Sequence, residues 1–101
     1  MYGKKSSSGY HEILDGIKIK TIVYGKSSLM TEFILNKGSD LVEHSHQHEQ
    51  TGYLVKGKME LFIDAKSQVL NPGDSWCVDP NVKHRAKILE DSVAIEVFIP
   101  C

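Results

Sequence analysis

Every apolar stretch in this 101-residue chain is short, and a turn signal closes each one before a helical period can establish itself. Ile17, Ile19 and Ile22-Val23 end at Gly25, and Leu29–Leu35 ends at Asn36-Lys37-Gly38-Ser39-Asp40. Thr51–Val55 is followed by Lys56-Gly57-Lys58, which reads as a tight hairpin turn. Met59, Leu61 and Ile63 then alternate with Glu60, Phe62 and Asp64, and a short strand over Gln68–Leu70 follows. Asn71-Pro72-Gly73-Asp74 is a strong turn, because Pro presets φ at the second position and Gly tolerates φ > 0 at the third. Ser75–Val78 is a brief strand, Asp79-Pro80-Asn81 turns again, and Lys83–Leu89 and Val93–Ile99 are two strands parted by Glu90-Asp91-Ser92. Such spacing predicts about eight or nine strands in an all-β sandwich or barrel. Composition agrees: Val, Ile and Thr number 20 against 3 Ala, and β-branched side chains favour pleated surfaces over helices.

The same arithmetic excludes several functions. Twelve Lys and Arg against thirteen Asp and Glu give no bulk field for nucleic acid or an anionic membrane. No apolar run approaches the ~20 residues of a membrane-spanning helix. Residues 1–9 are rich in Gly, Ser and Lys, have no apolar core of a secretory leader, and are expected to be mobile; residues 10–101 form one domain. Only Cys77 and Cys101 are present, too few for a disulfide framework, so a cytoplasmic setting is expected. Cys77 has nothing nearby in sequence to activate it and reads as structural.

Three of the five histidines fall within Glu43-His44-Ser45-His46-Gln47-His48-Glu49-Gln50. On an extended segment His44 and His46 share a face, with Cα atoms roughly 7 Å apart. Two imidazoles at that separation can converge on one cation. A His-rich stretch can equally be a polar connection, and context decides between them. His11 has no partner at metal spacing and is expected on the surface.

That context is Gly38-x5-His44-x-His46-x3-Gln50-x6-Gly57, then Gly73-x6-Pro80-x3-His84. The pattern resembles the two motifs of the cupin superfamily. The first follows the family's glycine and histidine spacing, while the second is looser and has Ile88 where the family usually has Asn. The resemblance spans residues 12–100 and implies a double-stranded β-helix, or jelly-roll barrel, holding one divalent transition metal on His44, His46, Gln50 and His84. Nitrogen-rich ligation suits Zn, Ni, Fe, Co, Mn or Cu better than Mg or Ca. Gln50 stands where the family usually has Glu, so the ion keeps its full charge; a carboxylate at 50 is expected to bind it more tightly. Glu49 is the alternative ligand after a one-residue shift, although residues 44, 46 and 50 share a parity that 49 lacks. His48 shares it too and is expected at the rim.

The run His46-Gln47-His48-Glu49-Gln50-Thr51-Gly52-Tyr53 is similar to a cupin subgroup of pectin and alginate breakdown, which linearises 4,5-unsaturated monouronates on a His, His, Gln, His metal shell. In that subgroup an Asp-x-Phe pair and then an Arg follow in the last strand. Here Glu96-Val97-Phe98 fits the pair with Glu for Asp, and no Arg follows it in this sequence. Glu96 points either to solvent or inward; inward, it is a candidate general base. Trp76 reads as core or pocket wall, and His48, Trp76 and Phe98 are candidate pocket residues. The expected function is Lewis-acid and acid–base isomerase or lyase chemistry on a small polar or anionic, sugar-acid-like molecule. Rival readings are an Fe, Mn or Cu oxygenase and a non-enzymatic ligand-binding or sensory module, since a fold does not choose its function. A homodimer through Ile13–Val23 is expected, because a small sandwich has open edges to cover.

Overall fold

Alternate side chains of Leu29–Leu35 part cleanly, with Thr31, Phe33 and Leu35 buried and Met30 exposed, as a strand does when one face meets a core. The computed structural model describes residues 1–100; Cys101 lies outside them. Eight strands follow in order: β1 His11–Leu14, β2 Ile17–Tyr24, β3 Leu29–Leu35, β4 Asp40–His44, β5 Glu49–Ile63, β6 Lys66–Leu70, β7 Ser75–Val78 and β8 His84–Ile99. All pairings are antiparallel, and there is no helix among the described residues.

β5 and β8 organise the barrel because each is long enough to serve two sheets. Their halves Glu49–Leu54 and Ser92–Phe98 lie in a sheet ordered β1-β2-β3-β8-β5-β7. Their other halves, Met59–Ile63 and His84–Ile88, lie in a sheet ordered β4-β8-β5-β6. Phe33, Leu35, Leu54 and Ala94 of the first sheet meet Met59, Leu61, Leu70, Ala86 and Ile88 of the second in one core. This is the expected jelly roll.

Two expected turns are instead the corner between the sheets. Lys56-Gly57-Lys58 lies inside β5 and Glu90-Asp91-Ser92 inside β8, and the register between the strands shifts repeatedly from Leu54 to Met59. Gly57 has φ +98°, and a Cβ there would meet the Asp91 carbonyl oxygen at 2.4 Å. The Ser92 hydroxyl fills the broken ladder, accepting from the Lys58 N–H at 3.0 Å and donating to the Glu90 carbonyl at 2.7 Å. Turn-forming residues therefore serve bulges, which bend strands without ending them.

The Asn71–Asp74 turn forms as expected, with the Asp74 N–H on the Asn71 carbonyl at 2.9 Å. The short hairpin joining β1 to β2 through Asp15-Gly16 was not anticipated from the sequence. The Ile13–Val23 stretch also divides: Ile17 is fully buried in the core, whereas Ile13 and Leu14 on the sheet edge are exposed. Charges at Ile17 would therefore break the fold before any interface.

Candidate functional site

β4 ends at His44, so His46 and His48 lie in the loop between β4 and β5 rather than on a continuous strand. The extended-strand route to a shared face for His44 and His46 is thus replaced by a loop pinned from outside. The Asn81 N–H, in the turn before β8, donates to the His46 carbonyl at 2.7 Å. Asn81 takes φ +67°, a conformation Asn tolerates better than most residues. Across the sheet His44 is the register partner of His84, the first residue of β8. The two halves of the motif pattern therefore meet: His44–His84 ring centroids are 4.1 Å apart, His46–His84 5.0 Å and His44–His46 5.7 Å. One ring nitrogen from each of the three lies within 4.8 Å of the other two.

Hydrogen bonding decides which nitrogens these are. His44 Nδ1 meets the Val42 carbonyl at 2.8 Å, His84 Nδ1 the Val82 carbonyl at 2.9 Å and His46 Nδ1 the His48 carbonyl at 3.1 Å. A carbonyl only accepts, so each Nδ1 carries the proton and, in the neutral imidazole, each Nε2 is a bare acceptor. Gln50 adds a fourth acceptor, its Oε1 lying 2.8 Å from His46 Nε2. His84 Nε2 is buried with no hydrogen-bond partner. Burial, with smaller effects from His44 and His46, holds the His84 pKa below its ordinary value against the Val82 bond that raises it, so protonation does not satisfy the group. Four acceptors without a donor fit a divalent transition ion, which needs lone pairs at about 2.0–2.2 Å and nothing else. The Nδ1 bonds orient each ring in the manner of outer partners in metal sites.

Gln50 and Glu49 occupy opposite faces of β5. Gln50 is 4% exposed, whereas Glu49 is exposed on the outer face beside Cys77 and Asp79. Cys77, read from the sequence as structural, is exposed, and burial plus the two carboxylates raise its thiol pKa, so nothing activates it. His11 is exposed, as expected.

Glu96 points inward. Its Oε1 accepts from Gln50 Nε2 in a short contact and from Trp76 Nε1 at 3.0 Å. Burial raises its pKa, opposed by those two donors and by His46, so a carboxyl shifted upward from its ordinary range lies beside the acceptor cluster. Trp76 thus packs against the core and donates its indole N–H to Glu96. Gly52, register partner of both Glu96 and Trp76, carries the indole: a Cβ there would meet Trp76 Cε2 at 2.1 Å. In the sequence the one mark Gly52 carries is that of a lone glycine inside a strand, a signal of close approach.

Beneath Gln50, Trp76, His84 and Glu96 the barrel leaves a void of only about 20 Å3. Beside the histidine loop, a cavity of about 260 Å3 is lined by Ile19, Thr21, Leu29, Thr31, Phe33, His48 and Phe98. Phe98 separates it from the cluster, its ring centroid 5.7 Å from His46 and 6.0 Å from His48. His48 Nδ1 is tied to the Pro100 carbonyl, which keeps it at the cavity rather than among the converging acceptors.

Comparison with known proteins agrees with this fold. The Cupin domain family (Cupin_2) matches residues 31–100. The pectin degradation protein KdgF of Dickeya dadantii is 32% identical over 93 residues, covering 90% of this chain and 84% of its own. Quercetin 2,3-dioxygenase of Bacillus subtilis is 30% identical over 82 residues, 75% of this chain but only 24% of the larger relative. Among solved structures, KdgF from a Halomonas species superposes with a TM-score of 0.94 at 25% identity, covering 100% of this chain and 95% of its own. An RmlC-like cupin from Shewanella frigidimarina gives 0.93 at 26%, covering 99% and 90%. With its barrel and both motif halves so matched, the chain belongs to the cupin family.

Proposed function

We propose that this cupin is an enzyme holding one divalent transition metal on His44, His46, Gln50 and His84. It acts on a small polar or anionic, sugar-acid-like molecule by acid–base isomerase or lyase chemistry. The observation that carries the reading is the juxtaposition of four donor-free acceptors with a buried carboxyl. A bound ion supplies Lewis acidity toward a substrate oxygen. The chain's own residues do the rest. Gln50 Nε2 and Trp76 Nε1 both donate to Glu96 Oε1, so the proton of the neutral acid resides on Oε2. Glu96 is the group that holds and returns a proton. Phe98 and His48 line the approach, and the packed barrel below keeps the reacting atoms on the cavity side. A cavity of about 260 Å3 is monosaccharide-sized, below the ~300–1,000 Å3 of sites for larger ligands.

The likeness to KdgF supports a uronate, and the direct test follows loss of the enol-ether ultraviolet absorbance of a 4,5-unsaturated monouronate after metal loading. Metal-dependent loss that disappears in Glu96→Gln supports the proposal; metal-loaded protein without turnover of any unsaturated uronate removes this substrate. The likeness to quercetin 2,3-dioxygenase and the mostly apolar cavity wall support a second reading, an oxygenase of a small aromatic molecule. Oxygen uptake by the Fe(II)-loaded protein with a flavonol distinguishes it. No helix of the described residues is long and apolar enough to cross a membrane, and a reducing, cytoplasmic setting with exposed Cys77 as thiol is part of the proposal. So is a homodimer paired along β1, where Ile13 and Leu14 are exposed at the sheet edge.

A further inference from the structure

A glutamate ligand has two equivalent oxygens, but a glutamine has one end that can bind a cation and one that cannot. Gln50 therefore needs something to turn it. Its Nε2 is spent on Glu96 Oε1, which leaves Oε1 facing His46 Nε2 at 2.8 Å. Glu96 in turn must be held, and the second donor on the same Oε1 is the Trp76 indole N–H at 3.0 Å. The indole reaches it only by lying flat across Gly52, where any Cβ would overlap three of its atoms at 2.1–2.3 Å. Glu96, Gly52 and Trp76 are consecutive register partners across β8, β5 and β7, so the arrangement is built into the sheet.

We propose that Trp76, seated on Gly52, is a positioning residue for the metal centre: through Glu96 it sets the Gln50 amide with its oxygen toward the three histidines. The Trp76 indole N–H bonds Glu96 and none of the acceptors the ion would use, so its effect on metal binding passes through Glu96 and Gln50. The inference rests on the ligand set proposed above. It separates two halves of the site, three histidines fixed by backbone carbonyls and one amide fixed by a side-chain relay.

The test uses the full chain and Co(II), whose visible spectrum reports ligand geometry, with affinity measured by competition against a chelator. Trp76 is the sole tryptophan, so its emission during Co(II) titration of the wild type reports this one side chain. Trp76→Phe keeps the ring and removes the N–H; Gly52→Ala keeps the N–H and displaces the ring. Each is expected to weaken Co(II) binding about 10- to 100-fold, the usual loss when an outer partner is removed, and to shift the spectrum. In a Glu96→Leu background the relay is already cut, so Trp76→Phe should add nothing. Leu70→Ala, a buried change on β6 opposite Met59, should lower thermal stability while leaving affinity and spectrum unchanged. Wild-type affinity and spectrum in both Trp76→Phe and a folded Gly52→Ala overturn the proposal. So does full additivity with Glu96→Leu. Failure of the wild type to bind Co(II) overturns the ligand set itself, a result separable from the first two.

Discussion

Glu96→Gln separates holding the site from running it. The amide that replaces the carboxyl still offers one acceptor oxygen, and two donors, Gln50 Nε2 and Trp76 Nε1, already converge on Oε1. The Gln50 orientation and the metal stoichiometry should survive. What is lost is a group that can take and return a proton, and general acid–base contributions are typically ~10²–10⁴-fold. Stability should move the other way. Burial raises the Glu96 pKa, so the folded state holds its proton more tightly than the unfolded chain does. A raised acid favours folding most below its unfolded value of about 4.5 and loses that advantage as pH climbs toward the folded value. Glutamine has no proton to lose, so the metal-free variant should melt above the wild type at pH 7, with the gap closing as pH falls below about 4.5. The assays are elemental analysis, turnover of the loaded protein and thermal melts across pH. A variant that keeps its metal and full turnover, or melts below the wild type at neutral pH, would refute the assignment of Glu96 as a buried proton holder.

Three further outcomes are expected. His84→Ala or His46→Ala should abolish stoichiometric metal by elemental analysis, since His84 Nε2 has no other partner; one full equivalent in either variant dismisses the ligand set. Gln50→Glu should still bind, but it places a second carboxyl against Glu96 in a buried site, so the new carboxyl takes up a proton of its own until the ion arrives. Calorimetry in buffers of differing ionisation enthalpy should therefore show about one extra proton released on binding, and equal release in both proteins counts against it. Paired charges at Ile13 and Leu14 should dissociate the dimer proposed along β1 without unfolding the chain; a wild type that sediments as a monomer at micromolar concentration removes that interface.

Strand content was legible because alternation and β-branching are local properties, and most strands are short and read directly. What misled was the corner. Lys56-Gly57-Lys58 carries the chemistry of a hairpin turn, yet β8 continues alongside it as partner, so the chain bends and keeps pairing. A bulge and a turn draw on the same residues, and only the partner strand tells them apart. The histidines were legible by spacing and their positions on the backbone were not. His46 owes its place to a hydrogen bond from Asn81, 35 residues away in sequence, and no local pattern encodes that. Glu96 sat between Ile95 and Val97 with no local cue to its direction; its register with Gly52 and Thr31 settles it.

The relation between residues 50 and 96 explains why the departure at Gln50 is chemically coherent. A carboxylate at 50 would neutralise part of the ion's charge but would face Glu96 across a hydrogen-bond distance in a site where neither could be hydrated. The amide at 50 removes that conflict by supplying the donor that Glu96 accepts. The carboxyl is moved one residue outward, from the proposed ligand to that ligand's hydrogen-bond partner. There it is free to hold or release a proton, which a carboxyl engaged with an ion is not. An ion held on this neutral ligand set would keep an undiminished charge toward an oxygen approaching from the Phe98 side. Gln50 and Glu96 therefore act as one device, so substitutions at the two positions should be strongly non-additive for both metal affinity and turnover.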